Sequence, residues 1–244
     1  MMNNRRPPAG SARRFAVKGL NLRATLTNKA GRTVQYESRA EHALILLLDR
    51  DPGVLDYGTY VGDAPVGAVR AARAAYAPQC QVWHVDGRVE LHRIRPAGAG
   101  ADPLPGGLEA ADRALCRARG WAFVAHAAAT LTAEPAFANL LALYGYRPTA
   151  YAHDDVADAA RAALAGGGAR AIAPLVGELA ARLDLAPGTV GAAVGHLLWH
   201  GTLAFALDAH LLIAEGAFLP DALVRLPDPA PVGAGAGGAR GGAA

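Results

Sequence analysis

Residues 76–95 read YAPQCQVWHVDGRVELHRIR and place several chemically capable side chains within one short stretch. Asp86-Gly87 is a strong type I′ turn signal, so the stretch is predicted to form a hairpin with strands at 76–85 and 88–95. Such a hairpin can hold a metal ion or a phosphate, depending on the charges that its faces carry.

The second strand of this hairpin carries two different sets of polar side chains. Side chains alternate between the faces of a strand, so Arg93 and Arg95 share one face while Glu90 and His92 share the other. Arginine does not lose its proton in proteins, and its guanidinium group binds phosphates with two parallel hydrogen bonds. The face with the two arginines is therefore predicted to reject metal ions and to favour an anion.

A glutamate on a predicted helix could contribute to the same site. Ser38 is a good N-cap and Glu41 follows three residues later, which is the spacing of a capping box. Apolar residues then recur at helical spacing, so we expect a helix from Arg39 to about Asp49 that ends at Asp51-Pro52-Gly53. Glu41 can serve as a helix cap, as a site carboxylate or as both.

Charge is distributed unevenly along the chain. The net charge is +3 overall, +7 in residues 1–150 and −5 in residues 151–229, and the first 32 residues contain eight basic side chains and no acid. This asymmetry suggests nucleic acid as a partner at one end and a different partner at the other, although a solvated arm is the simpler alternative. The side chains expected to contact DNA are Arg5, Arg6, Arg13, Arg14, Lys18, Arg23, Lys29 and Arg32.

Composition narrows the class of protein. Cys80 and Cys116 provide neither a disulfide framework nor metal-cluster spacing, so a reducing, cytoplasmic compartment is expected. No apolar run reaches membrane-spanning length, and the N-terminal stretch has no apolar core after its basic residues, which argues against a signal peptide. The Gly- and Ala-rich tail at 230–244 is expected to be disordered.

The remaining patterns predict two folded regions. Residues 33–150 contain strands and helices in mixed order, so we expect an α/β domain that follows an extended basic arm at 1–32. Residues 151–229 are predicted to form a winged-helix domain, with three helices followed by two short strands within 202–216.

A series of short motifs in fixed order resembles the TnsA family, the end-cleaving endonuclease subunits of heteromeric transposases. The motifs extend from about Arg5 to Leu223 and include YES-x-x-E, LL-x-x-DP-x-V, Y-x-P, DG, R-I-R-P, GW-x-F and L-L-W-x-G-x-L. The first two, in that order ahead of a hairpin, are the most specific. The resemblance implies a PD-(D/E)xK nuclease domain with a restriction-endonuclease-like mixed sheet flanked by helices, followed by a winged helix.

The resemblance also implies the position of the nuclease site. In the family a helix glutamate, a Pro-Asp pair that opens one strand and Glu-x-Lys on the partner strand form this site. Its carboxylates hold Mg²⁺, which prefers oxygen ligands. The matching positions are Glu41, Gln79 and Arg93-Ile94-Arg95, so only Glu41 is retained.

These replacements argue against cleavage. Two like unit charges 4 Å apart repel by about 4 kcal/mol at an effective dielectric constant of 20, and a divalent ion roughly doubles that value. We therefore expect no metal and no cofactor, and Mg²⁺ only if the protein is an active endonuclease. The arginines could form a salt bridge with Glu41 or belong to a plain surface, or they could contact a DNA phosphate; residual catalysis at the site is the last alternative. Glu90-x-His92 could take the place of the family Glu-x-Lys motif only if the hairpin register shifted by an odd number of residues.

The third helix of the C-terminal region lacks the charge of a DNA-reading helix. At about 188–200 it contains no Lys or Arg, and it is expected to expose Thr189, Ala192, His196 and His200. Groove-reading helices usually carry several basic groups, so protein contact is favoured over DNA contact or a purely structural role. The two histidines share one helix face, but no acid or thiol lies at ligand spacing, so a zinc site is not favoured.

These observations lead to one main hypothesis and two alternatives. The main hypothesis is a TnsA-like protein, associated with transposition or a related mobile-element process, that binds DNA without cutting it. Its C-terminal domain is expected to dock a transposase or ATPase subunit. The alternatives are an active Mg²⁺-dependent DNA endonuclease subunit of a heteromeric transposase and a winged-helix DNA-binding regulator.

Overall fold

The computed structural model describes residues 24–59, 79–95, 108–214, 217–220 and 222–228. The strands are β1 (Ala24–Thr27), β2 (Thr33–Tyr36), β3 (Val54–Thr59), β4 (Gln79–His84), β5 (Val89–Arg95), β6 (Ala122–Ala127), β7 (Arg170–Ala171), β8 (Ile213–Ala214), β9 (Ala217–Phe218) and β10 (Leu223–Val224). The helices are α1 (Arg39–Arg50), α2 (Leu108–Arg119), α3 (Ala128–Leu131), α4 (Ala136–Tyr144), α5 (Asp154–Leu164), α6 (Ile172–Leu183) and α7 (Pro187–Trp199). Predictions for residues 1–23, 60–78 and 230–244 lie outside the described residues.

A four-stranded sheet in the order β3-β4-β5-β6 forms the centre of the first half. The pairs β3–β4 and β4–β5 are antiparallel, whereas β5 and β6 are parallel. A parallel pair needs a crossover connection, and α2, which lies between these strands in sequence, packs against both of them. The sequence GLEAADRALCRARG at 107–120 predicts a helix that ends at Gly120, and Gly120, with φ +68°, ends α2 in the structure. The predicted α/β class, with a mixed sheet flanked by helices, is confirmed.

Helix α1 begins where the capping pattern predicts. The Ser38 hydroxyl accepts a hydrogen bond from the Glu41 N–H at 3.1 Å. The Glu41 carboxylate in turn accepts one from the Glu37 N–H at 3.0 Å, one residue before the amide that a standard capping box uses. The apolar face of the helix is buried, with Leu44, Leu46 and Leu48 in the core. Glu41 therefore has a structural role at the start of α1.

A hairpin formed by β1 and β2 occupies part of the region that was expected to be extended. Asn28 holds its turn, since Oδ1 accepts the Arg32 N–H at 2.9 Å while Nδ2 donates to Asp56 Oδ1 and Tyr57 O at 3.0 and 2.9 Å. The prediction of an extended arm is therefore wrong for residues 24–32. Asparagine in a turn is an ordinary hairpin signal, which the concentration of basic residues obscured.

The C-terminal half has helices close to the predicted positions. The sequence predicts a helix from Asp154 to Leu164 and a second one marked by apolar residues from Ile172 to Leu183, and α5 and α6 match these positions. Helix α7 starts with Pro187 in its first turn. Strand β7 pairs with β10, and β8 pairs with β9 as a short hairpin. The two strands expected within 202–216 are displaced, because the paired strands are Ile213–Ala214 and Ala217–Phe218, and Ala204 instead forms an isolated bridge with Arg225.

One buried core continues across residue 150, from Leu26 to Val224. Asn139 of α4, which is 1% exposed, donates from Nδ2 to the carbonyl oxygens of Leu207 and His210 at 2.8 and 2.9 Å. Its Oδ1 accepts the Leu212 N–H at 2.7 Å. A single side chain of the first half thus holds the irregular segment 203–212 of the second. No helix in the described part of the chain has the length and apolar character needed to cross a membrane.

Candidate functional site

The two faces of the central sheet are covered by different helices. Tyr57 of β3 donates a hydrogen bond from its hydroxyl to Asp49 of α1 at 2.9 Å, so α1 lies on the face that Tyr57 occupies. Residues directly opposite each other in adjacent strands point to the same side. The register pairs Tyr57 with Val82 and Val82 with Glu90. The even-numbered side chains of β5 therefore lie on the α1 face, and the odd-numbered ones lie on the opposite face.

Helix α2 covers that opposite face and supplies carboxylates to both arginines. Arg93 is 1% exposed, and its Nε forms an ion pair with Asp112. Arg95 donates from Nε and Nη2 to the two oxygens of Glu109 at 3.1 and 2.8 Å. These hydrogen bonds lower the pKa of Glu109 and raise that of Arg95. The two acids are three residues apart on α2 and so share the helix side that faces β5.

The residues predicted for the nuclease site are divided between the two faces. Gln79 lies opposite Arg93 in the register, as the hairpin prediction implied. Glu41 belongs to α1 and lies on the other side of the sheet. The carboxylates that pair with Arg93 and Arg95 come from α2, and the burial of Arg93 leaves no access for a phosphate. The alternation of side chains along β5 was predicted correctly. That alternation does not show which helix covers each face of the sheet.

Glu41 lies close to the α1 face of the β4–β5 hairpin. Its side chain is buried, and its charge adds to the effect of burial, which raises the pKa of the Cys80 thiol to about 12. Cys80 lies directly opposite His92 in the register. Glu41 and the Glu90-x-His92 pair are therefore on the same side of the sheet.

A chain of titratable side chains crosses three strands on the α1 face. Glu90 Oε2 lies 2.8 Å from His92 Nε2, and His92 Nδ1 lies 2.9 Å from His126 Nε2. His84 Nε2 lies 3.1 Å from the same Glu90 oxygen, but it makes no hydrogen bond of ordinary geometry. Arg88 donates to the other Glu90 oxygen at 3.1 Å. We refer to His84, Glu90, His92 and His126 as the His–Glu chain.

Burial keeps two imidazoles of this chain neutral at neutral pH. Burial lowers the pKa of His126 to about 4, and the neighbouring His92 lowers it as well. Burial also lowers the pKa of His92, although Glu90 opposes the shift. Burial raises the pKa of Glu90, but the hydrogen bond from His92 and the close contact with His84 lower it, and the net shift is downward. His92 then donates to Glu90 and accepts from His126, an arrangement that can hold or transfer a proton.

Lys29 and Arg32 are the only described members of the set expected to contact DNA, and both make contacts within the protein. Lys29 Nζ donates to the carbonyl oxygens of Val54, at 2.9 Å, and of Asp51, while burial lowers its pKa. Arg32 forms an ion pair with Asp56 at 2.7 Å. These side chains therefore hold the β1–β2 hairpin against the sheet. The other six lie outside the described residues.

Part of the α7 face that was expected to be exposed is covered by residues that follow α4, whereas His200 is exposed as predicted. His196 is buried and its Nδ1 lies 2.9 Å from the carbonyl oxygen of Tyr146, while His200 Nε2 lies 3.1 Å from that of Arg147. A Cβ at Gly195 would lie 2.6 Å from the Tyr146 ring. The prediction that His196 is exposed is wrong, because glycine at 195 lets Tyr146 pack directly on the helix.

Four polar residues of these sites were missed in the sequence. Glu109 and Asp112 had a usable signal, since they are the acids of α2, lie three residues apart and match two arginines that alternate along β5. His84 and His126 had none, because the parallel register of β5 and β6 depends on tertiary packing. No group of three or more His, Cys, Asp or Glu side chains within the described residues is arranged to hold a metal ion.

Comparison with known proteins adds no family. No protein-family model matches the chain, and no curated protein matches it significantly. The fold itself defines a mixed α/β protein whose central sheet is flanked by helices.

Proposed function

We propose that this chain is a TnsA-like DNA-binding protein, associated with transposition or a related mobile-element process, that does not cleave DNA. The supporting observation is the pair of arginines at the end of β5. The family resemblance assigns a metal-site Glu-x-Lys to these positions, whereas Arg93 and Arg95 are permanent cations held by α2 carboxylates. A divalent cation placed there would meet guanidinium groups in a buried setting, where repulsion is stronger than in water.

The proposal includes DNA as a partner, a cytoplasmic location and a protein partner for the C-terminal half. The net charge of +7 in residues 1–150 favours a polyanion. We further propose that residues 151–229 form a winged-helix domain that docks a transposase or ATPase subunit. The order of α5, β7, α6 and α7 before the β8–β9 hairpin supports this fold. The net charge of −5, the lack of Lys and Arg in α7 and the burial of His196 against Tyr146 favour a protein over DNA.

Cleavage and binding can be measured on the same sample. The full chain is incubated with supercoiled plasmid and Mg²⁺ or Mn²⁺, and a gel shift with linear duplex records binding. We expect retarded duplex without nicked plasmid. Nicking that disappears in Glu41→Ala would overturn the absence of cleavage, and a failure to retard duplex would overturn the DNA-binding proposal.

An active Mg²⁺-dependent endonuclease is a second candidate because Glu41, Glu90 and His92 share the α1 face. In this alternative Glu41 and Glu90 would hold the ion, which supplies an activated water when bound. His92, a neutral imidazole within the His–Glu chain, would accept a proton. Titration calorimetry tests this reading: it requires one Mg²⁺ bound to the unaltered protein and to Glu178→Gln, an exposed control, and lost in Glu90→Gln.

A further inference from the structure

The exposed positions of α2 carry positive charge and hold no acidic residue. Both acids of the helix, Glu109 and Asp112, point towards β5, where each is 6% exposed. The exposed positions from 110 to 118 hold only alanine and arginine: Ala110, Ala111, Arg113, Ala114, Arg117 and Ala118. The ion pairs with β5 therefore remove negative charge from the outside of the helix.

Two arginines of α2 stack on aromatic rings next to or on β6. Arg113 lies 4.5 Å from the centre of the Phe123 ring, and Arg119 lies 4.9 Å from that of Trp121, both next to or on β6. Stacking on an aromatic ring restricts the orientation of a guanidinium group. In Arg113 the Nε and Nη2 atoms donate to Glu109 at 3.3 and 2.8 Å, and the guanidinium group has further N–H donors that can bind an anion. Arg117 is four residues from Arg113, about 6 Å along the helix axis. Arg113, Arg117 and Arg119 together are called the α2 arginine face.

In β5 and α2 together, positive side chains outnumber negative ones. The two elements contain five arginines, at 93, 95, 113, 117 and 119, and three acids, of which Glu90 lies on the α1 face while Asp112 pairs with Arg93 and Glu109 pairs with Arg95. Arg113 also contacts Glu109 at 2.8 Å. The same carboxylate serves Arg95, however, so one negative charge is shared between two guanidinium groups. Positive charge consequently exceeds negative charge on the outer side of α2.

We infer that the α2 arginine face receives the sugar–phosphate backbone of duplex DNA. The inference rests on the proposed DNA-binding function and assigns it a surface separate from the N-terminal arm. A guanidinium group can bind one phosphate with two parallel hydrogen bonds. The exposed alanines of α2 are small and uncharged, so they neither obstruct nor repel an approaching DNA strand. Phosphate contacts of this kind position the duplex and carry no base preference.

The test measures the salt dependence of binding by the full chain. Fluorescence anisotropy with a labelled duplex gives Kd between about 50 and 200 mM salt for the unaltered protein and for Arg113→Ala/Arg117→Ala. The matched control, Arg161→Ala/Arg182→Ala, removes the same charge from exposed positions on α5 and α6. For the α2 variant we expect a salt slope smaller by about 2 and a Kd at least about 10-fold higher at low salt. The control should stay within about 2-fold.

A second variant separates a loss of DNA binding from a loss of folding. Arg117→Glu leaves the Arg113–Glu109 contact in place and reverses one exposed charge. It should weaken duplex binding at least as much as the double alanine variant, with an unchanged unfolding midpoint. Equal weakening in the α2 variants and in the control would overturn the inference, as would binding that depends only on residues 1–23.

The remaining outcomes distinguish this inference from the proposed function. If the unaltered chain does not bind duplex at all, the DNA-binding proposal and this inference both fail. If it binds duplex and the α2 variants bind equally well, only the inference fails. Binding to vesicles containing phosphatidylserine, without duplex binding, would assign the α2 arginine face to a membrane surface instead.

Discussion

The two faces of β5 carry buried charge in different forms. On the α2 face, Arg93 and Arg95 are permanent cations that pair with carboxylates of a single helix. On the α1 face, Glu90 and His92 belong to a chain in which burial lowers the pKa of His92 and His126. Adjacent residues of one strand thus meet two environments, one whose charge stays fixed and one that titrates as the pH falls below neutrality. The comparison shows that strand alternation can separate fixed from titratable charge.

The largest expected effect comes from removing the partner of the buried arginine. Asp112→Ala leaves Arg93, which is 1% exposed, without its carboxylate. Breaking a buried ion pair in this way should lower the free energy of unfolding by about 3–5 kcal/mol, measured by urea denaturation.

Two other variants serve as references for that loss. Asp158→Ala breaks the exposed ion pair with Arg161 and should cost no more than about 1 kcal/mol. Replacing both Arg93 and Asp112 by methionine and leucine should recover most of the stability, because no unpaired charge remains. A loss below about 1 kcal/mol in Asp112→Ala would show that Arg93 does not depend on this carboxylate.

The neighbouring pair on the same face should give a smaller effect. Glu109→Gln removes the charge that Arg95 and Arg113 share, while the amide oxygen retains one acceptor. We expect a decrease of about 1.5–3 kcal/mol in the free energy of unfolding. This decrease should be the same at about pH 5.5 and about pH 8, since the pKa of Glu109 is lowered from its ordinary value and arginine stays charged. A strong pH dependence of the decrease would contradict the contrast between the faces.

Acidification should instead weaken the α1 face. The pKa of His126 is about 4 in the folded protein, below the value of about 6.5 for an unfolded histidine, so the unfolded chain binds more protons between these values. The stabilisation is complete above about pH 6.5 and is lost as pH falls towards 4. Allowing for partial exposure of the ring, we expect a loss of about 1–2 kcal/mol, followed by urea denaturation at several pH values.

A variant isolates the contribution of the His–Glu chain to that loss. His126→Gln removes the imidazole whose pKa shift is largest in the chain, so its free energy of unfolding should fall less steeply between about pH 6.5 and 4.5. Glu109→Gln, on the other face, should keep the slope of the unaltered protein. Equal slopes in all three proteins would assign the acid sensitivity to groups outside the His–Glu chain.

The smallest expected effect concerns the start of α1. Ser38→Ala removes the hydroxyl that accepts the Glu41 N–H and should lower the free energy of unfolding by about 1 kcal/mol. Ser38→Asp, which retains an acceptor, should restore it. If Ser38→Ala costs nothing, the capping contact is replaced by solvent.

Local signals in the sequence predicted elements well and their packing less well. The Ser38 and Glu41 spacing gave the start of α1, and Gly120 gave the end of α2, because caps depend on adjacent residues. The β1–β2 hairpin was missed because the basic residues around Asn28 favoured an extended arm over its turn signal. The contacts of Asn28 with Asp56 and Tyr57, which are distant in sequence, could not be predicted.

The candidate site shows the same limit. The alternation of Arg93 with His92 follows from strand geometry and was predicted. Which helix lies on which face depends on the crossover between β5 and β6 and on the contact of Tyr57 with Asp49. Neither can be obtained from spacing, so Glu41 was placed with the arginines from which the sheet separates it.

Asn139 has a practical consequence for dissecting the molecule. A fragment that begins at residue 151 would lack the amide that binds the backbone of Leu207, His210 and Leu212. Three peptide groups would lose their partner, and the shape of segment 203–212 would no longer be specified. Loss of partner docking in such a truncation could then reflect a missing scaffold, and point substitutions in the intact chain give the cleaner assignment.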